Sequence, residues 1–207
     1  MKESEARAQA AEFCRRLYDK GFMPGIDGNV SIRLDGERAL VTPTGISKRR
    51  VTAEQLVLMS LSGERLKGDL QPSSEAPMHL GVYRHRPDVG AVVHTHSPNA
   101  TAWAMTHRPL DTRYAPFSHI HLGAVGHVPY LSPGSAAFHQ AVAEQVMAGH
   151  SAMMLCSHGA MTLGTDLDEA FDRMDLMEAY CGMLFKAAAL GGAYLLTDRE
   201  LDEITGG

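Results

Sequence analysis

Gly90-Ala91-Val92-Val93-His94-Thr95-His96-Ser97-Pro98 reads as a short buried strand that ends on two histidines. The run Ala91-Val92-Val93 supplies the strand. Ser97 followed by Pro98 is a helix start, with Ser97 as N-cap and Pro98 at the first helical position. Residues i and i+2 of a strand point to one face. His94 and His96 therefore project together, with Thr95 turned away. A single buried histidine is ordinarily a satisfied core residue. Two on one face can share an ion, because imidazole nitrogen ligates Zn²⁺ and its neighbours well. Such a pair needs further ligands. His158, in Ser157-His158-Gly159 after the apolar run 152–156, is one candidate, and Glu75, in Ser73-Ser74-Glu75, is another. Three histidines with one displaceable position is the pattern of a catalytic site, whereas a structural site is closed by four ligands.

The chain around this stretch is that of a globular protein large enough to bury its own core. Its 207 residues are read as a single domain spanning 1–207, with 44% hydrophobic and 21% charged residues. The net charge is −5, and Lys48-Arg49-Arg50 is too short to make a basic tract. Nucleic-acid and membrane-surface binding are therefore disfavoured. The polar, acidic start Met1-Lys2-Glu3-Ser4-Glu5 lacks the apolar core of a signal peptide, and no apolar run approaches membrane-spanning length. A cytoplasmic protein is expected. Cys14, Cys156 and Cys181 are odd in number and form no C-x-x-C, so each is expected to be a buried small hydrophobe. Eleven histidines ask for a use beyond surface chemistry.

In chain order, the pattern predicts a helix over 4–20 with Gly21 at its end, then a glycine-rich loop to Asn29. A hairpin follows, with strands 30–34 and 39–42 around Asp35-Gly36. Thr52 and Gln55 form a capping box on a short helix. Leu56-Val57-Leu58-Met59 is a strand, and a helix covers about 75–86. After the histidine strand come a helix over 98–106 and a proline-rich stretch, 107–134, in which no long helix fits. His119-Ile120-His121 alternates there like the earlier pair. A helix over 135–148 and strands 152–156 and 160–163 follow. A long helix then runs from Asp166, capped by Glu169 at N3, to Gly191-Gly192, with an apolar face through Ala170, Phe171, Met174, Met177, Cys181, Leu184 and Ala188. These elements predict helices covering a largely antiparallel sheet.

Three loops carry small residues with free donors: Gly28-Asn29, Thr44-Gly45 and Ser73-Ser74. Glycine admits close backbone approach to a ligand, and Ser73-Ser74 sits at a helix N-terminus, which favours anions. Each alone is more often a plain turn or cap. Together they can form a phosphate cradle without a lysine.

Taken in order, Asp27-Gly28-Asn29-Val30-Ser31, Thr42-Pro43-Thr44-Gly45, Pro72-Ser73-Ser74-Glu75, Val92-Val93-His94-Thr95-His96 and Ser157-His158-Gly159 resemble the class II aldolase/adducin family, most of all its L-fuculose-1-phosphate aldolase branch. The resemblance spans about residues 5–190. It implies an α/β fold of three αβα layers around a mostly antiparallel sheet, and a homotetramer with fourfold symmetry. It implies Zn²⁺ held by His94, His96 and His158, with Glu75 ligating the resting metal and then acting as general acid/base. Mn²⁺, Co²⁺ or Fe²⁺ would suit the same donors. Gly28, Asn29, Thr44, Gly45, Ser73 and Ser74 align with the family's phosphate cradle. Tyr114 stands nearest the tyrosine with which the aldolases protonate a departing aldehyde from a neighbouring subunit; His119, His121 and Tyr130 are possible substitutes.

The activity expected first is cleavage of a ketose 1-phosphate to dihydroxyacetone phosphate and an aldehyde, through an enediolate stabilised by the metal as Lewis acid. The competing expectations are a sugar-phosphate epimerase, a dehydratase and a decarboxylase acting on a 3-oxo sugar acid phosphate, which share these ligands. A non-catalytic scaffold, as in adducin, has no need of three histidines and Glu75.

Overall fold

A computed structural model describes residues 1–205. Eight strands form one sheet: β1 (Asn29–Arg33), β2 (Arg38–Val41), β3 (Val57–Ser60), β4 (Arg65–Lys67), β5 (Ala91–Thr95), β6 (Gly126–Val128), β7 (Ala152–Leu155) and β8 (Gly159–Gly164). Their order across the sheet is β4-β3-β2-β1-β5-β8-β7-β6. All neighbours are antiparallel except β6 and β7. The seven α-helices among the described residues are α1 (Glu3–Asp19), α2 (Ala76–His85), α3 (Pro98–Ala104), α4 (Pro116–Leu122), α5 (Ala136–Met147), α6 (Leu167–Ala189) and α7 (Asp198–Thr205). Helices α1, α3, α4 and α6 bury their apolar sides in one core and α2 and α5 in the other, so the fold has three αβα layers.

β5 lies inside the sheet and is buried on both faces, which explains its unbroken apolar run. Ala91 and Val93 face the α6 layer, and Val92 faces the α2–α5 layer. His94 follows Val92 on the second face. Thr95 returns to the first, where its Oγ1 donates to Sδ of Met174 at 3.0 Å. This alternation brings the imidazole of His94 out beneath the start of α2.

Most expected elements are present with their ends moved by one or two residues. The stretch 107–134 differs from expectation at His119-Ile120-His121, which is helical within α4. Pro116 at its first position and the Ala115 carbonyl accepting from the His119 N–H start that helix. The three cysteines are buried and unbonded, as expected. Among the described residues no helix is long and apolar enough to cross a membrane.

Candidate metal centre

His94 sits in β5, His96 one residue beyond its end, and His158 in the turn that joins β7 to β8. Antiparallel pairing of β5 with β8 sets Thr95 opposite Ala160 and so brings His158 to the two β5 histidines. Gly159 makes this approach possible: a Cβ there would lie 2.4 Å from the Thr95 carbonyl oxygen and 2.8 Å from Cδ2 of His96. Ser157, at the same turn, holds a left-handed φ of 54°, with Nε2 of His107 2.7 Å from its hydroxyl. The three rings stand edge to face, with centroids 4.8 to 5.1 Å apart. One ligand atom from each lies within 4.8 Å of the others.

Glu75, at the N-cap of α2, reaches into this cluster. Its Oε2 is 3.3 Å from Nε2 of His94, and its Oε1 is 3.1 Å from Nε2 of His158. Asn29 stands opposite His94 in the β1–β5 pairing, so the two share a face. Its amide Nδ2 donates to Oε2 of Glu75 at 2.7 Å. Burial works to raise the Glu75 carboxyl, but His94 and His158 outweigh it and hold the group far below the usual carboxylate range. Burial likewise opposes a charge on His94, yet Glu75 and the Ala160 carbonyl leave its pKa raised. His96 shifts down, first through burial and then through the neighbouring histidines, with Asp27 opposing.

The donor set fits a divalent ion. Nδ1 of His94 is 2.9 Å from the Ala160 carbonyl oxygen, which assigns the proton to Nδ1 and leaves Nε2 free as a ligand. The buried Nε2 atoms of His94 and His96 have no hydrogen-bond partner. Orphaned buried nitrogens are rare and costly unless something else satisfies them. Three neutral imidazoles and a carboxylate suit Zn²⁺ and also its first-row neighbours.

The phosphate-loop candidates cluster around the same end of the sheet. Thr44 N–H donates to the Gln71 carbonyl and Ser73 N–H to the Thr42 carbonyl, both at 3.0 Å, which ties the Thr44-Gly45 turn to Ser73-Ser74. Gly28 has φ 71°, and a Cβ there would lie 2.9 Å from the His94 carbonyl oxygen. Ser73 and Ser74 also border a groove of about 430 Å³ with Gln71, Pro77 and Arg84. Asn29 differs from the other cradle candidates, because its side chain is already engaged with Glu75. Tyr114 lies elsewhere. It lines a groove of about 400 Å³ with Trp103, Leu184 and Phe185, beside α3 and α6. His119 pairs with Thr112, His121 lies against Phe117, and Tyr130 is exposed.

Three contacts were not anticipated from the sequence. Asp27 Oδ2 lies 3.3 Å from Nδ1 of His96. Behind Glu75, buried Ser31 places its hydroxyl 2.7 Å from both Nδ1 of His79 and the Tyr83 hydroxyl. The spacing of His79, four residues after Glu75 and so on the same helix side, was the available signal. For Asp27 the only signal was its place in the Asp27-Gly28-Asn29 loop.

The chain matches the family described as Class II Aldolase and Adducin N-terminal domain over residues 8–185. It is 34% identical over 195 residues to the 3-oxo-tetronate 4-phosphate decarboxylase of Haemophilus influenzae, covering 92% of this chain and 91% of that one. It is 35% identical over 167 residues to the L-fuculose phosphate aldolase of Methanococcus maripaludis, covering 81% and 89%. The crystal structure of YgbL from Escherichia coli superposes with a TM-score of 0.91 at 30% identity over 98% of both chains. The chain belongs to the class II aldolase/adducin family. The expected resemblance and the expected fold are both borne out.

Proposed function

We propose that this chain is a divalent-metal-dependent lyase that decarboxylates a 3-oxo sugar acid phosphate, with 3-oxo-tetronate 4-phosphate as the first candidate. The observation that carries the reading is one carboxylate, Glu75, set 3.3 and 3.1 Å from two of three clustered imidazoles. The choice of substrate is supported by the Haemophilus influenzae relative, which aligns over 92% of the chain. Aldol cleavage, which the sequence put first, becomes the second reading.

The chemistry of the two reactions separates them. Loss of carbon dioxide from a 3-oxo acid breaks the bond from the carboxyl carbon to C2. The bonding pair moves into an enediolate over C2 and C3. One proton delivered to C2 then gives dihydroxyacetone phosphate. Aldol cleavage of a ketose 1-phosphate passes through the same three-carbon enediolate. It must also remove a proton from the hydroxyl that becomes the aldehyde, which asks for a second acid/base group. Glu75 reaches His94 and His158, while within one chain Tyr114 lies beside α3 and α6. The two readings therefore differ in whether a second group must act beside Glu75.

His94, His96 and His158 would hold a divalent ion, which would supply Lewis-acid stabilisation to the negative charge that develops on the substrate oxygens. Glu75 is ionised at rest, so it first acts as a base. Loss of carbon dioxide consumes one proton, which Glu75 would take from water and deliver to C2. Asn29 holds Oε2 of Glu75 and limits where that proton can go. Thr44, Gly45, Ser73 and Ser74, with Gly28 beside them, anchor the phosphate and so fix the reacting carbons. In this reading the protein works in the cytoplasm as a homotetramer. Tyr114 can serve a site only from another copy, and aldol cleavage would call on it.

The L-fuculose phosphate aldolase of Methanococcus maripaludis supports the second reading. Incubating the Zn²⁺-loaded protein with 3-oxo-tetronate 4-phosphate and, separately, with fuculose 1-phosphate distinguishes the two. Decarboxylation predicts carbon dioxide and dihydroxyacetone phosphate in equal amounts from the first, at a rate well above that on the second. Rapid aldehyde release from the second with no carbon dioxide from the first would reverse the order.

A further inference from the structure

We infer that Asp27 is a positioning residue for the metal centre, holding His96 in the tautomer that presents Nε2 to the ion. The inference rests on the metal reading above and adds a residue to it. His94 and His96 are presented alike but by different means. Nδ1 of His94 is fixed by the backbone carbonyl of Ala160 at 2.9 Å. His96 lies beyond the end of β5, where no ladder carbonyl meets its ring. Its Nδ1 instead faces Oδ2 of Asp27 at 3.3 Å, and its buried Nε2 is left without a partner. A carboxylate behind a ligating imidazole fixes the ring, selects the Nδ1–H tautomer and makes the other nitrogen a stronger donor.

The fold holds Asp27 in place for this task. Its own N–H donates to the Pro24 carbonyl at 3.1 Å, closing a turn. Gly28 lets that turn press against the end of β5, where a Cβ would lie 2.9 Å from the His94 carbonyl oxygen. The buried Lys48 ammonium donates to the carbonyls of Ile26 and Ile46, at 2.8 and 3.2 Å. One cation thus ties the Asp27 turn to the Thr44-Gly45 turn. Asp27 itself is half exposed, so replacing it leaves no core cavity.

The test uses the full chain, stripped of metal and titrated with Zn²⁺ against a competing chelator. Asp27→Ala is expected to weaken Zn²⁺ binding by about 10- to 100-fold, and Asp27→Asn, which keeps an acceptor without the charge, by less. In the metal-free protein, ¹⁵N NMR of His96 should show the Nδ1–H tautomer in the wild type and a shift toward Nε2–H in Asp27→Ala. That readout would not move if Asp27 only shaped the turn. Wild-type Zn²⁺ affinity in Asp27→Ala, or an unchanged His96 tautomer, would overturn the proposal. A wild-type protein that took up no ion would overturn the metal reading itself, and this proposal with it.

Discussion

The amide of Asn29 donates to Oε2 of Glu75 at 2.7 Å, so a residue expected to bind phosphate also grips the carboxylate. Hydrogen bonds to charged groups contribute about 1.5–3 kcal/mol. Asn29→Ala is therefore expected to lower kcat by about 10- to 100-fold while the protein still takes up its ion through three histidines. Steady-state rates and metal content measured on the same preparation check this. A variant with wild-type kcat and a raised KM alone would return Asn29 to the phosphate.

Glu178 of α6 performs the capping that Ser97 was expected to do. The N–H groups of Asn99 and Ala100 donate to its two carboxylate oxygens at 2.9 and 2.8 Å, and the Ser97 hydroxyl makes no cap bond. Because α3 follows His96 directly, this contact also fixes the strand end that carries the histidine. Glu178→Ala leaves two buried donors orphaned and is expected to cost about 2–4 kcal/mol of stability. Glu178→Gln, which keeps one acceptor, should cost less. Urea unfolding of the two variants tests it, and a loss below about 0.5 kcal/mol in the alanine variant would refute the cap.

His79 gives a pH dependence. Burial lowers its pKa from 6.5 to about 3. The unfolded chain therefore binds a proton that the folded one refuses. The associated stability is complete above the unfolded pKa and is lost as pH falls from there toward about 3. Between pH 7 and pH 5 the loss amounts to about 2 kcal/mol. The comparison is made on metal-free protein, so that release of an ion does not intrude. His79→Gln should flatten the fall by that amount relative to wild type, and parallel curves for the two proteins would contradict the assignment.

The legible parts of the sequence were those where local pattern and tertiary role agree. Ala91-Val92-Val93 is apolar because β5 is covered on both faces, and His94 and His96 share a face by strand geometry alone. The parts that were not legible depend on distant partners. Arg65–Lys67 is wholly exposed, so β4 shows no alternation and is a strand only because it pairs with β3. Gly126–Val128 is three residues long and is held by parallel pairing with β7. In His119-Ile120-His121 the period-two pattern was real, but Pro116 and the packing of Leu122 into the α6-side core made a helix. Asp27 on His96 and Glu178 on Asn99 join residues far apart in the chain, and neither partner marks the other in the sequence.

If Glu75 carries the proton, Glu75→Gln removes the group on which turnover depends. The change keeps the size of the side chain and removes its basicity. Three histidines should still hold the ion, and the phosphate loops are untouched. The measurement is the rate of dihydroxyacetone phosphate formation from 3-oxo-tetronate 4-phosphate, with metal content determined on the same sample. Full metal occupancy is expected, with the rate reduced by about 10²–10⁴-fold, the loss typical of removing a general acid/base. A fully metal-loaded Glu75→Gln protein turning over at the wild-type rate would contradict it.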